Sequence, residues 1–101
     1  MLNLLNSLLQ SKLRIFCSKS YSLELLFVLK LNNIHKKCIE EIYESLLSPK
    51  PKQPSFDAFI QLLIFKEFVI IEVNKDKRKK TVLLNQKSID LLDSIISDYR
   101  V

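Results

Sequence analysis

The chain has 101 residues, 48% of them hydrophobic, no glycine, and a formal net charge of +5. That length builds one small domain around a single core and is too short for two, so residues 1–101 are read as one unit. Two cysteines, Cys17 and Cys38, and a lone His35 exclude a disulfide framework and a metal site at ligand spacing.

The first segment, residues 2–16, carries Leu2, Leu5, Leu9, Leu13 and Phe16 at helical spacing, with Leu4 and Leu8 widening the stripe. It predicts one continuous amphipathic helix. Its polar residues and late cations do not match a secretory leader. "SKSYS" then breaks the chain and offers a hydroxyl cap, and Leu23 to Leu31 is apolar on nearly every side, which predicts a central buried helix. That run is far too short to span a bilayer. Asn32 and Asn33 predict another break. Cys38, Ile39, Ile42, Tyr43, Leu46 and Leu47 then form a stripe opposite Lys36, Lys37, Glu40, Glu41 and Glu44.

Prolines 49, 51 and 54 predict a corner. Ser55 is placed to cap the following helix, about 55–67, with Phe56, Phe59, Ile60, Leu63 and Ile64 turned inward. Phe68 to Val73 and Thr81 to Leu84 are β-rich and alternate, so they predict a hairpin. Asn74 and Asp76 are the residues suited to its turn in a chain without glycine. A last helix is expected over 86–99, with Ile89, Leu92, Ile96 and Tyr99 in line and Asp90, Asp93 and Asp98 opposite.

Charge is concentrated in one place. Lys75, Lys77, Arg78, Lys79 and Lys80 face only Asp76, a net +4 out of the chain's +5. A localised positive tip makes a local field, whereas scattered lysines mainly aid solubility. Phosphate of a nucleic acid is its expected counterpart, ahead of an acidic membrane surface or a role as a solvated hairpin edge.

Helix, corner, helix and then a ribbon with a positive tip is the winged helix-turn-helix layout, in which one helix enters the major groove and the ribbon reaches the neighbouring minor groove. The expected fold is therefore mainly α with a small β-hairpin. "DKRKKTVLLNQKSIDLL", together with "KQPSFDAFIQLLIFKEF" upstream, resembles the SarA/MarR group of bacterial winged-helix transcription regulators, over about residues 36 to 96. The resemblance implies a homodimer on double-stranded DNA, with residues 74–81 as a wing and 55–67 as the recognition helix. It implies that Arg78 enters the minor groove and that Asp76 orients it or the wing; the ribbon lysines Lys75, Lys77, Lys79 and Lys80 are expected on phosphates from their charge. Lys50, Lys52, Gln53 and Ser55 would lie at the mouth of the recognition helix, and Gln61 would reach a base. The terminal helices, 2–16 and 86–99, would form the dimer through Leu2, Leu5, Leu9, Leu13, Leu92, Ile96 and Tyr99.

The sequence departs from that pattern in an apolar recognition helix, with Asp57 near its start and Leu62 and Phe65 on its outer face. Two other readings follow: a plasmid, phage or viral protein binding repeated sites in partition or replication, and a winged helix that docks a protein. With no glycine-rich phosphate loop and no nucleophile beside a base, an enzyme is not expected. No cofactor, metal or membrane partner is expected either. No polar cluster points to a small-molecule ligand, and a reduced, cytoplasmic chain is expected.

Overall fold

A computed structural model describes residues 2–73 and 80–97, with side chains from residue 4 onward. It is mainly helical with one antiparallel hairpin: α1 (Leu2–Gln10), a 3-10 helix (Lys12–Cys17), α2 (Ser22–His35), α3 (Ile39–Ser45), α4 (Gln53–Phe65), β1 (Val69–Val73), β2 (Lys80–Leu84) and α5 (Gln86–Ser97). No helix among the described residues is long and apolar enough to cross a membrane.

The expected helix 2–16 is two elements. Ser11 Oγ lies 2.8 Å from the Leu8 carbonyl oxygen and accepts the Leu13 N–H at 3.0 Å, so one side chain ends α1 and caps the 3-10 helix. The kink turns both Leu13 and Phe16 into the core. At the start of α2 no hydroxyl caps the helix. Instead the fully buried Ser22 ties the preceding loop, its Oγ 2.6 Å from the Phe16 carbonyl oxygen while accepting the Lys19 N–H.

Helix α2 runs through both asparagines, where a break was expected. Asn32 is buried: its amide donates to the Val82 carbonyl at 2.7 Å and the Lys37 carbonyl at 3.0 Å, and its oxygen accepts the Lys37 N–H at 2.6 Å. Those bonds satisfy the polar group that would otherwise oppose helix here. The helix stops one turn later at Lys36, which takes the left-handed conformation (φ 56°) usually left to glycine. Leu25, Leu26 and Leu29 are buried as expected, but Leu31 and Ile34 stand in solvent.

The core is built around α2, which packs on β2 and the 3-10 helix, with buried residues from the other helices and β1 closing on it. Tyr21, Tyr43, Phe56 and Phe59 form an aromatic cluster among α2, α3 and α4, with Tyr43 and Phe56 centroids 5.0 Å apart. In the hairpin Val69 pairs with Leu84 and Val73 with Lys80. Thr81 also bridges Cys38, so β2 has a partner on both edges. That explains why Thr81 to Leu84 are all buried while β1 is exposed at Ile70, Glu72 and Val73. Helix α5 closes the fold, its Leu92 and Ile95 buried and its Asp93 paired with Lys30 of α2 at 2.6 Å.

Candidate nucleic-acid interface

Helix α4 begins two residues earlier than expected. Lys52, extended at φ −63° and ψ 146°, is the residue before the first turn, and Pro54 sits inside that turn, where its missing N–H costs nothing. Ser55 is therefore within the helix and is not its cap. The corner before α4 is held from behind by Glu24 of α2, whose carboxylate accepts the Leu47 N–H at 2.6 Å and the Ser48 N–H at 2.8 Å. Desolvation pushes the Glu24 pKa up, but hydrogen bonds from the Ser48 side chain and from the Leu47 and Ser48 amides outweigh it and hold the pKa below the usual value. Leu47, expected on the α3 stripe, lies past the end of that helix and is 94% exposed.

Tyr43 donates its hydroxyl to the Pro51 carbonyl at 2.6 Å, which fixes the last residues of the corner on α3. Lys50 folds the same way. Its ammonium donates to the Glu44 carbonyl at 3.0 Å, lies 3.6 Å from the Glu44 carboxylate and 5.6 Å from the Tyr43 ring centre. Of the residues expected at the helix mouth, Lys52, Gln53 and Ser55 are exposed, as is Gln61 one face along, whereas Lys50 is already engaged.

The outer face of α4 consists of Asp57, Ala58, Gln61, Leu62 and Phe65, the last 83% exposed. Around it Lys50, Lys52 and Lys66 are offset by Glu44, Asp57 and Glu67, so this helix carries no net positive charge of its own. The positive excess belongs to the hairpin. Its paired ends, Val73 and Lys80, are joined by residues 74–79. Lys80 is exposed. Lys75, Asp76, Lys77, Arg78 and Lys79, expected to contact DNA, lie outside the described residues, as does Tyr99.

The root of the hairpin is firmly built. Just past the end of α4, Glu67 takes the left-handed region (φ 65°), and the Phe68 N–H donates back to the Leu63 carbonyl at 3.0 Å. Asn85 then links three elements: it caps α5 by accepting the Ser88 N–H at 2.8 Å, its amide donates to the Glu67 carbonyl, and its own N–H donates to the Phe68 carbonyl. Lys36 reaches Glu72 of β1 at 3.8 Å across the surface.

No protein-family model, curated protein or solved structure matches the chain. The functional reading therefore stands on the chain's own chemistry.

The residues expected to form a dimer divide. Leu13 and Leu92 are buried inside the chain's own core, 1% and 0% exposed, because the kink at Ser11 and the seating of α5 turn them inward, so neither offers surface to a partner. Leu5 and Ile96 are half-buried and Leu9 is 45% exposed, while the side chain of Leu2 lies outside the description.

Both thiols are packed. Burial pushes the pKa of Cys17 and Cys38 up, and the Cys38 sulfur sits 3.1 Å from Glu41 Oε1. Among the described residues no three His, Cys, Asp or Glu side chains gather as a metal site would need. Two features were missed from the sequence: the Cys38 bridge, a single pair too short to show as a strand, and a gathering of Lys12, Arg14, Lys66 and Lys87 near the hairpin root. The first 23 residues hold three cations and no carboxylate, the one signal that hinted at the second feature.

Proposed function

We propose that this chain is a DNA-binding protein of the winged helix-turn-helix type, a homodimeric transcription regulator that lays α4 in the major groove and residues 74–81 on the adjacent minor groove. The observation that carries the reading is a net charge of +4 over residues 75–80, at the end of a hairpin whose root is tied to the turn after α4 by Asn85 and whose second strand is tied to α2 by Asn32. A rooted ribbon has its paired strands fixed beside α4, and two adjacent grooves require a ribbon and a helix held together. The order α2, Cys38 bridge, α3, α4, β1, β2 supports the same architecture.

On this account α4 supplies shape and the few polar groups Gln53, Ser55 and Gln61, while the ribbon supplies phosphate neutralisation and Arg78 enters a narrow groove. Leu5, Leu9 and Ile96 remain as the dimer contacts. Promoter occupancy and binding to repeated sites in partition or replication use the same chemistry. Exposure of Leu62 and Phe65 favours a second reading, in which this face docks a protein.

Fluorescence anisotropy with labelled duplex at low salt separates the two. The DNA reading expects binding that Lys77→Ala with Arg78→Ala weakens at least roughly tenfold, in keeping with the loss of one phosphate contact and one groove contact. Affinity unchanged in that variant would remove the wing from the account, and no duplex binding by the wild type would leave the docking reading.

A further inference from the structure

A second positive surface lies at the opposite end of the hairpin from the insert. An open groove of 1130 Å³ runs between the α1 end, the hairpin root and the start of α5, lined by Lys12, Lys66 and Lys87. A neighbouring groove of 520 Å³ shares Lys12 and Lys66 and adds Arg14. The four cations come from the 3-10 helix, the residue after α4, and α5, so tertiary folding alone brings them together. Among the described residues, Glu67 is the one carboxylate on the groove walls. None of the four cations forms an ion pair with a described residue, unlike Lys30, Lys36 and Lys50.

The polar groups around them do not converge on a small anion. Asn85 is committed to Glu67 and Ser88, and Gln86 donates to Asp90 at 2.9 Å. A small-ligand site needs a few polar groups aimed at one point in an enclosed cavity. Here charges are spread along an open surface, and a row of spaced negative charges fits that spread. The phosphodiester backbone of a duplex supplies such a row.

We infer that Lys12, Arg14, Lys66 and Lys87 form a second duplex-binding surface, so that one chain bridges two DNA segments. This rests on the proposed DNA binding but uses none of the residues that carry it. The groove is bounded by Phe68, Val69, Asn85 and Gln86 at the hairpin root. The insert joins Val73 to Lys80 at the other end, about 13 Å of extended strand away. With a cationic surface at each end of the ribbon, one duplex meets the insert and a second meets the root.

The test is a capture experiment on the full chain. Protein is bound to a bead-tethered duplex at low salt, and a fluorescent duplex of unrelated sequence is added. Wild type is expected to retain the second duplex. Lys12→Ala, Arg14→Ala, Lys66→Ala and Lys87→Ala combined is expected to bind the tethered duplex within roughly threefold of wild type but to lose most of the capture, with a salt slope reduced by about 0.9 per lost phosphate contact. Circular dichroism checks that this variant is folded, and a Lys12→Arg, Lys66→Arg, Lys87→Arg variant, which keeps the charge, is expected to capture normally.

Capture that survives the alanine variant overturns the inference, because the second duplex would then be held by another surface, such as the insert of a partner subunit. Binding to the tethered duplex without capture by the wild type overturns it too, and leaves the proposed function standing. Loss of tethered binding in the folded alanine variant overturns it by merging the two surfaces into one footprint. A wild type that binds no duplex overturns both proposals.

Discussion

Asn32 is the residue whose replacement most directly tests how the hairpin is held. Its side chain makes three hydrogen bonds, to Val82 O (2.7 Å), Lys37 O (3.0 Å) and Lys37 N (2.6 Å). Val82 has no exposed surface, so in Asn32→Ala its carbonyl cannot turn to water for the lost donor, a cost of about 1–3 kcal/mol. The half-buried Lys37 backbone recovers some hydration and adds about 1 kcal/mol, for a total of roughly 2–4 kcal/mol. A domain of this size holds only about 5–15 kcal/mol, so the midpoint of a urea titration should fall substantially with an unchanged slope.

Asn32→Asp sharpens the test. The carboxylate keeps an acceptor for the Lys37 N–H but turns a charged oxygen toward the two carbonyls that the amide served. It should be less stable than Asn32→Ala at neutral pH. The unfavourable surroundings raise the folded pKa of that aspartate, so its extra penalty is absent below the unfolded value of about 3.9 and grows as pH rises toward the folded value. An alanine variant within about 1 kcal/mol of wild type, or an aspartate variant no worse than alanine, would refute the role assigned to these bonds.

Glu24→Gln should weaken the corner before α4 by about 1 kcal/mol, since hydrogen bonds to a charged acceptor are strong but this pair is open to solvent. Because the folded Glu24 pKa is lowered, its contribution is present above the unfolded value of about 4.3 and is lost as pH falls through the folded value. Thermal melts from neutral to acid pH should converge for the two proteins; a constant gap would contradict this. Lys36→Gly and Glu67→Gly should each stabilise the fold by up to about 1 kcal/mol, because both positions are left-handed in a chain with no glycine. A lower melting temperature in both would show that their side chains matter more than their backbone angles.

Much of the layout was legible because periodicity is local. The hairpin strands fall within one residue of expectation at each end, and the inward residues of α4 that are fully buried, Phe56, Phe59, Ile60 and Leu63, were read from spacing alone. The misses share one cause, contacts made at a distance. Asn32 stays helical because of a carbonyl 50 residues away, and Ser11 breaks a stripe whose period gives no sign of it. Leu13 and Leu92 read as surplus apolar surface because a sequence does not tell how much of a stripe its own core will cover. The cluster of Lys12, Arg14, Lys66 and Lys87 was missed for the same reason, while the insert was visible because its cations fall within six residues of sequence.

The central claim is that the cations of the hairpin insert neutralise phosphates of a duplex. Its most direct measurement is the duplex binding constant of wild type and of a variant with Lys75, Lys77, Arg78, Lys79 and Lys80 all changed to Ala, across a series of salt concentrations. The account predicts a log–log slope near −0.9 per phosphate neutralised, flattening in the variant by about 4.5 for the five cations removed. A wild-type affinity that ignores salt, or a variant with the wild-type slope, would contradict it.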